Sequence, residues 1–202
     1  GGVSYGTVTL AQATAKSVNT AYVTLNAKVG PSLTKEVAIR LGYPENTPGL
    51  DDSLTNVLGS ASPTAANIAE AYGTIANQGK RETVHMIRQV TDTSGDIVYM
   101  PSFSADPVVE RNVALTATQA LTGAFQAGGT AVKAQIGRPS AGKTGSSTDN
   151  KSAVFAGFIP QVVTIVSLYQ SGPNGEEQAI SPFGGIREVT GSTWPAWLWK
   201  QY

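Results

Sequence analysis

The stretch GRPSAGKTGSSTDNKSAVFAGF, residues 137–158, sets one lysine and several hydroxyls just ahead of an apolar run with strand character. The polar residues are Lys143, Thr144, Ser146, Ser147 and Thr148. A cation flanked by hydroxyl donors is the means to hold a carboxylate, because hydrogen bonds with an ionised partner are shorter and stronger than neutral ones. Gly145, in their midst, has no side chain and lets another backbone lie against the strand. Two further patterns put a hydroxyl near an amide or an amine: Ser17-Val18-Asn19 and Ser32-Leu33-Thr34-Lys35. Ser140-Ala141-Gly142-Lys143 repeats the second spacing but shares its lysine with the strand. Ser-x-Asn and Ser-x-x-Lys each arise by chance about once in a chain of this size and composition, and Lys-Thr-Gly roughly a tenth as often. Weight therefore falls on their order and setting. Without chemistry, residues 143–148 would be a solvated hairpin and Ser17 to Asn19 a helix cap.

Composition removes several alternatives. The chain has no cysteine, which excludes a disulfide framework, a thiolate nucleophile and a zinc–thiolate site. His85 is the single histidine and lies in an expected hairpin, so neither a metal centre nor a Ser-His-Asp site is expected. Asp51-Asp52 reads as loop solvation, and Trp194, Trp197 and Trp199 read as packing residues of a terminal helix. Lys plus Arg equals Asp plus Glu at 14 each, with no basic stripe, which argues against nucleic acid as a partner. No run of about 18 apolar residues is present to span a membrane. The chain opens at Gly1 with neither an initiator Met nor a signal-like segment, and the expectation is a piece of something longer.

These residues need elements to position them. Apolar spacing predicts helix over 8–29 with a break near Ser17 to Asn19. A second helix is expected over 32–42, with Ser32 as cap and Gly42 as stop, and a third over 62–80, with Ser62 as N-cap and Pro63 at the first helical position. Residues 42–60 read as a loop. Residues 84–92 and 96–101 flank Thr93-Ser94-Gly95 as a hairpin. A helix follows over 116–129. Strands are expected over 152–160 and 162–170, joined at Pro160-Gln161, and a closing helix over 192–202. The expected class is α+β: an antiparallel sheet flanked by helices.

In that order and setting, the sequence resembles the transpeptidase domain of penicillin-binding proteins of the bifunctional, class A kind. The blocks that carry the resemblance are YGTVTLAQATAKSVNTAYV, LGSASPTAANIAEAYGTIANQGKR, AGKTGSSTDNKSAVFAGFIPQ and VTGSTWPAWLWKQY. Ser-x-Asn and Lys-Thr-Gly are two of the three short motifs of this superfamily. The resemblance implies the penicillin-binding/β-lactamase-like transpeptidase fold, with residues 1–202 as the C-terminal part of one domain. It implies a serine-type D,D-transpeptidase that cross-links peptidoglycan stem peptides and is acylated by β-lactams, on the outer face of the bacterial cytoplasmic membrane, without a cofactor.

For individual residues the resemblance implies that Ser17 relays a proton to the leaving group and that Asn19 orients the substrate and the lysine. Lys143, Thr144, Ser146 and Ser147 would bind the donor carboxylate beside Gly145, and the Ser146 N–H would be the oxyanion donor from this chain. The family's nucleophile motif, Ser-x-x-Lys, precedes Ser-x-Asn, and no such motif stands before Ser17 here. The expectation is that Ser32 and Ser140 are decoys and that the nucleophile lies on an upstream segment, with any glycosyltransferase domain and membrane anchor. A carboxypeptidase or β-lactamase of the same superfamily, or a non-catalytic penicillin-sensing or scaffold domain, is the alternative.

Overall fold

A computed structural model describes residues 4–202. Helices α1 (Leu10–Lys16) and α2 (Asn19–Val29) divide the first apolar pattern where a break was expected. Thr9 caps α1 reciprocally with Gln12, and Ser17 ends it in the left-handed conformation at φ 55°, ψ 53°. Helix α3 (Pro31–Leu41) has Gly30 as its cap and Pro31 at its start, so Ser32 lies inside the helix and does not cap it. Proline at the first position takes that place because its missing N–H would have no helical partner there. Helix α4 (Ala65–Ala76) is capped by Thr64 with Asn67, two residues beyond the expected Ser62. The side chain of Asn67 completes that box, and Pro63 stays outside the helix.

Two short pairs follow: β1 (Lys80–Arg81) with β4 (Asp106–Pro107), and β2 (Val90–Thr91) with β3 (Ile97–Tyr99). Residues 82–100 are exposed throughout and form an arm with Met86 99% and Met100 59% exposed. Helix α5 (Arg111–Thr122) starts a full turn before the expected Thr116 and runs into a 3₁₀ turn at Gly123–Phe125. The buried face of that extra turn is only Ala114, too small to stand out in the apolar pattern.

The main sheet has the order β5-β6-β7-β8 and is antiparallel. Its strands are β5 (Ala141–Ser146), β6 (Ser152–Ile159), β7 (Val162–Ser171) and β8 (Glu177–Gln178), and helix α6 (Trp194–Gln201) closes the chain. The Lys-Thr-Gly strand β5 is thus an edge strand. Residues directly opposite across a ladder share a face, and neighbours along a strand point to opposite faces. Ala141 faces Phe158, whose ring meets Tyr72 of α4 edge-on, so Ala141, Lys143 and Gly145 belong to the α4 side. Thr144 faces Phe155, which packs on Trp199 of α6, so Thr144 and Ser146 belong to the other side.

Phe125, Phe155 and Trp199 form a three-ring core with centroids 5.4–5.9 Å apart, enclosed by Ala124, Ala131, Ala134 and Ala196. The small residues let α6 and the 3₁₀ turn approach the sheet closely. Gly157 lies directly beneath the indole: a Cβ there would fall 2.7 Å from Trp199 Cε2 and 2.8 Å from Phe155 Cε1. We expect Gly157→Ala to destabilise the fold by about 1–3 kcal/mol through overpacking. Thermal melts should show a drop of several degrees, partly recovered by adding Trp199→Phe, which withdraws the clashing indole atoms.

Candidate active site

The centre of the site is a contact between residues 126 positions apart: Lys143 Nζ donates to Ser17 Oγ at 2.7 Å. A second N–H of the ammonium goes to the Thr144 carbonyl oxygen at 2.9 Å. Ser17 reaches the lysine because α1 stops beside β5. Its last turn is closed by Ser17 N–H to Thr14 O at 3.2 Å and Val18 N–H to Ala13 O at 2.9 Å. Gly123 allows the close approach on which this depends, since a Cβ there would lie 3.0 Å from Ala15 Cβ. Thr130 ties the two segments together. Its N–H donates to Ala15 O at 3.1 Å, and its Oγ1 accepts from Thr144 Oγ1 at 2.8 Å.

Lys143 is half-buried, and no carboxylate forms an ion pair with it among the described residues. Loss of water around the ammonium lowers its pKa from 10.5 to about 8. The other hydroxyls of the motif are engaged separately. Ser146 Oγ accepts the Gly191 N–H at 3.0 Å, which leaves its own proton to donate outward. Gly191 fits only without a side chain: a Cβ would lie 2.3 Å from Val154 O and 2.6 Å from Gly145 O. Ser147 Oγ accepts from Ser152 N–H at 2.7 Å and closes the β5–β6 turn, where Asp149 and Asn150 are both left-handed.

Gly145 is exposed, and a Cβ there would make only ordinary contacts, the nearest 3.8 Å from Val154 Cβ. Nothing within the described chain requires glycine at this place, and the strand's edge is left bare there. Asn19 is exposed at the start of α2, and its side chain makes no hydrogen bond among the described residues. The structure therefore joins Ser17 to Lys143, and Thr144 to Thr130, while Ser146 and Ser147 are held by other partners. Ser32 is exposed on α3, and Lys35 of its pattern pairs with Asp52 at 3.7 Å. Ser140 is buried and donates to Arg138 O at 3.1 Å.

Two residues of the site carried no signal as functional residues in the sequence. Thr130 belongs to no motif, and Gly191 was legible only as part of the entry to the closing helix. Elsewhere, His85 meets Phe103 edge-on, and Asp51 accepts the Ser53 N–H at 3.1 Å. Among the described residues no cluster of His, Cys, Asp or Glu could hold a metal, and no helix is long and apolar enough to cross a membrane.

A sheet edge bearing Lys-Thr-Gly, with a Ser-x-Asn serine hydrogen-bonded to its lysine, is the motif pairing of the penicillin-binding superfamily. The chain belongs to the penicillin-binding-protein transpeptidase domain family, whose domain model matches residues 2–182. Penicillin-binding protein 1A of Neisseria gonorrhoeae is 30% identical over 200 residues, covering 96% of this chain and 24% of that protein. Penicillin-binding protein 1A of Mycolicibacterium smegmatis is 29% identical, covering 98% of this chain and 27% of that protein. The chain thus spans about a quarter of the length of the curated relatives it matches. The structure of PonA1 from Mycobacterium tuberculosis in complex with penicillin V aligns at TM-score 0.84 and 27% identity, over 98% of this chain and 56% of that one. Penicillin-binding protein 1A from Haemophilus influenzae, at TM-score 0.77 and 21% identity over 95% of this chain and 33% of that one, shares the fold.

The half-buried ammonium has a measurable signature in stability. Below pH 8 both folded and unfolded chains hold the Lys143 proton, and the folded chain bears the full desolvation cost, roughly 3 kcal/mol from the size of the shift. Between pH 8 and 10.5 the unfolded chain binds more protons than the folded one, so stability rises with pH across that window. We expect Lys143→Met to raise stability at pH 7 and to flatten this rise, as read by urea unfolding at pH 7 and at pH 9.5.

Proposed function

We propose that residues 1–202 supply the proton-relay and carboxylate-binding part of a serine D,D-transpeptidase site, whose acylated serine lies N-terminal to Ser17 on a segment outside this chain. The observation that carries the reading is the Ser17–Lys143 hydrogen bond on a sheet edge. An ammonium has three N–H donors. Two of them meet Ser17 and the Thr144 carbonyl, and the third is left to meet an anion in a half-dehydrated place where a charge-assisted bond is strong.

In the acylation step the upstream serine Oγ attacks the carbonyl carbon of the penultimate D-alanine. The new O–C bond forms as the C–N bond to the terminal D-alanine breaks. The upstream serine's proton passes to the lysine of its own Ser-x-x-Lys motif, Ser17 gives its proton to the departing amine nitrogen, and the Lys143 ammonium returns a proton to Ser17. The donor's terminal carboxylate lies against Lys143 with the Thr144 and Ser146 hydroxyls beside it. Ser147 borders this subsite, and the Ser146 N–H faces the developing oxyanion. Bare Gly145 lets the peptide run along the strand, and Asn19, whose side chain makes no hydrogen bond among the described residues, orients the donor and the lysine of the upstream motif. In the second step an amine of a neighbouring stem peptide attacks the acyl carbon, its proton passes through Ser17 back to Lys143, and the ester C–O bond breaks as the upstream lysine returns its proton to the serine. A β-lactam follows the first step through opening of its ring amide and stays attached. The site works in the peptidoglycan layer outside the cytoplasmic membrane and takes no cofactor.

Ser17→Ala in the full-length protein should lower penicillin acylation by about 10², the usual scale for a positioned proton donor, with the melting temperature nearly unchanged. A fall in melting with the rate preserved would make Ser17 a helix terminus only. Because Lys143 must hold its proton in this mechanism, acylation should decline as pH rises through about 8. Product analysis of a D-Ala-D-Ala donor with and without an acceptor amine separates transfer from hydrolysis. A fluorescent penicillin covalently held within residues 1–202 would overturn the nucleophile assignment.

A further inference from the structure

We infer that Thr130 is a positioning residue for the Ser17–Lys143 pair, setting the separation of α1 and β5 through its backbone N–H on one side and its hydroxyl on the other. This rests on the function proposed above but concerns a residue outside every recognised motif. The bonds form a closed ring. Ser17 Oγ accepts from Lys143, and Lys143 donates to the Thr144 carbonyl. The Thr144 hydroxyl donates to Thr130, and Thr130 N–H donates to Ala15 O, two residues before Ser17. The carbonyl of Ala15 lies in the last turn of α1, where helix carbonyls lack an intrahelical partner, so this bond also satisfies the helix end.

Thr130 is itself rigidly held. Gly129 before it is packed so tightly that a Cβ would fall 2.4 Å from Ala124 O, and Ala131 after it is buried with its N–H on the same oxygen at 2.8 Å. The perch is therefore the 3₁₀ turn that carries Phe125 of the aromatic core, and the core's geometry passes to the site through this threonine as well as through the Gly123–Ala15 contact. The ring also fixes the role of Thr144. Its single hydroxyl proton is given to Thr130, so Thr144 offers an incoming carboxylate no proton until that bond exchanges.

The test separates hydroxyl from bulk. Thr130→Val keeps the shape and the N–H to Ala15 but loses the acceptor for Thr144, whereas Thr130→Ser keeps the hydroxyl. In the full-length protein, penicillin acylation is resolved by stopped flow into a binding constant and a first-order acylation constant. Thr130→Val should lower the acylation constant about tenfold or more, as a small misplacement of reacting groups does, while binding holds or tightens because the freed Thr144 hydroxyl can donate to the carboxylate. Thr130→Ser should stay near the parent rate, and both should melt close to the parent. A parent-like acylation constant in Thr130→Val, or equal losses in the two variants, overturns the assignment. If the parent protein is not acylated at all, the proposed function fails, and the role of Thr130 is decided by carbon NMR titration of the Lys143 side chain. Its midpoint should move from about 8 toward 10.5 in Thr130→Val as the loosened ammonium regains water, and an unmoved midpoint overturns the role.

Discussion

The hydrogen bond between Lys143 and Ser17 is the constraint that the rest of the site serves. It requires a cation to sit half out of water without a carboxylate to balance it, an arrangement that costs stability wherever it occurs. Only neutral acceptors, a hydroxyl and a carbonyl oxygen, compensate the ammonium. Placing an acidic residue there would relieve the fold and fill the place that an anionic ligand needs. On the proposed function, the destabilised charge and the capacity to bind an anion are the same property, seen once from the folded chain and once from the ligand.

Strand geometry divides the labour around that charge. Alternation along β5 turns Lys143 toward the α4 side and Ser146 toward the α6 side, so the edge is braced separately on each face. On the first side the brace is the end of α1, and on the second it is the backbone of Gly191. Each brace needs a near-absence of side chain at its contact. Gly123 admits Ala15, and Gly191 rests on Gly145. The aromatic core below has the same feature, with Gly157 under Trp199. Close backbone approach, rather than charge pairing, holds the machinery in register.

Much of the framework was legible in the residues. The short apolar runs within 152–170 and the turn at Pro160-Gln161 read directly as paired strands, β6 being buried on both faces, where a continuous apolar run rather than alternation marks a strand. The break at Ser17 was legible as a lapse in apolar spacing. Helix starts were read less well: Gly30-Pro31 displaced the expected Ser32, and Thr64 with Asn67 displaced Ser62, since several residues in each stretch can cap and only side-chain geometry decides among them. The early start of α5 was hidden because a face built from alanine has almost no apolar contrast. Within the site, Ser17 and Lys143 were named through the resemblance, but no spacing in the sequence announces a contact across 126 residues. Thr130 was invisible for the same reason: its importance lies wholly in what it joins.

The exposed arm of residues 82–100 gives the molecule an uneven redox sensitivity. Both of the chain's methionines, Met86 and Met100, lie on it, and the chain contains no cysteine, so all of its sulfur is on this one solvent-washed projection. Peroxide converts an exposed thioether to the polar sulfoxide, which reductases can reverse. Sulfur oxidation in this chain is therefore confined to the arm: it turns an apolar surface polar while the aromatic core and the Lys143 edge carry no oxidisable sulfur.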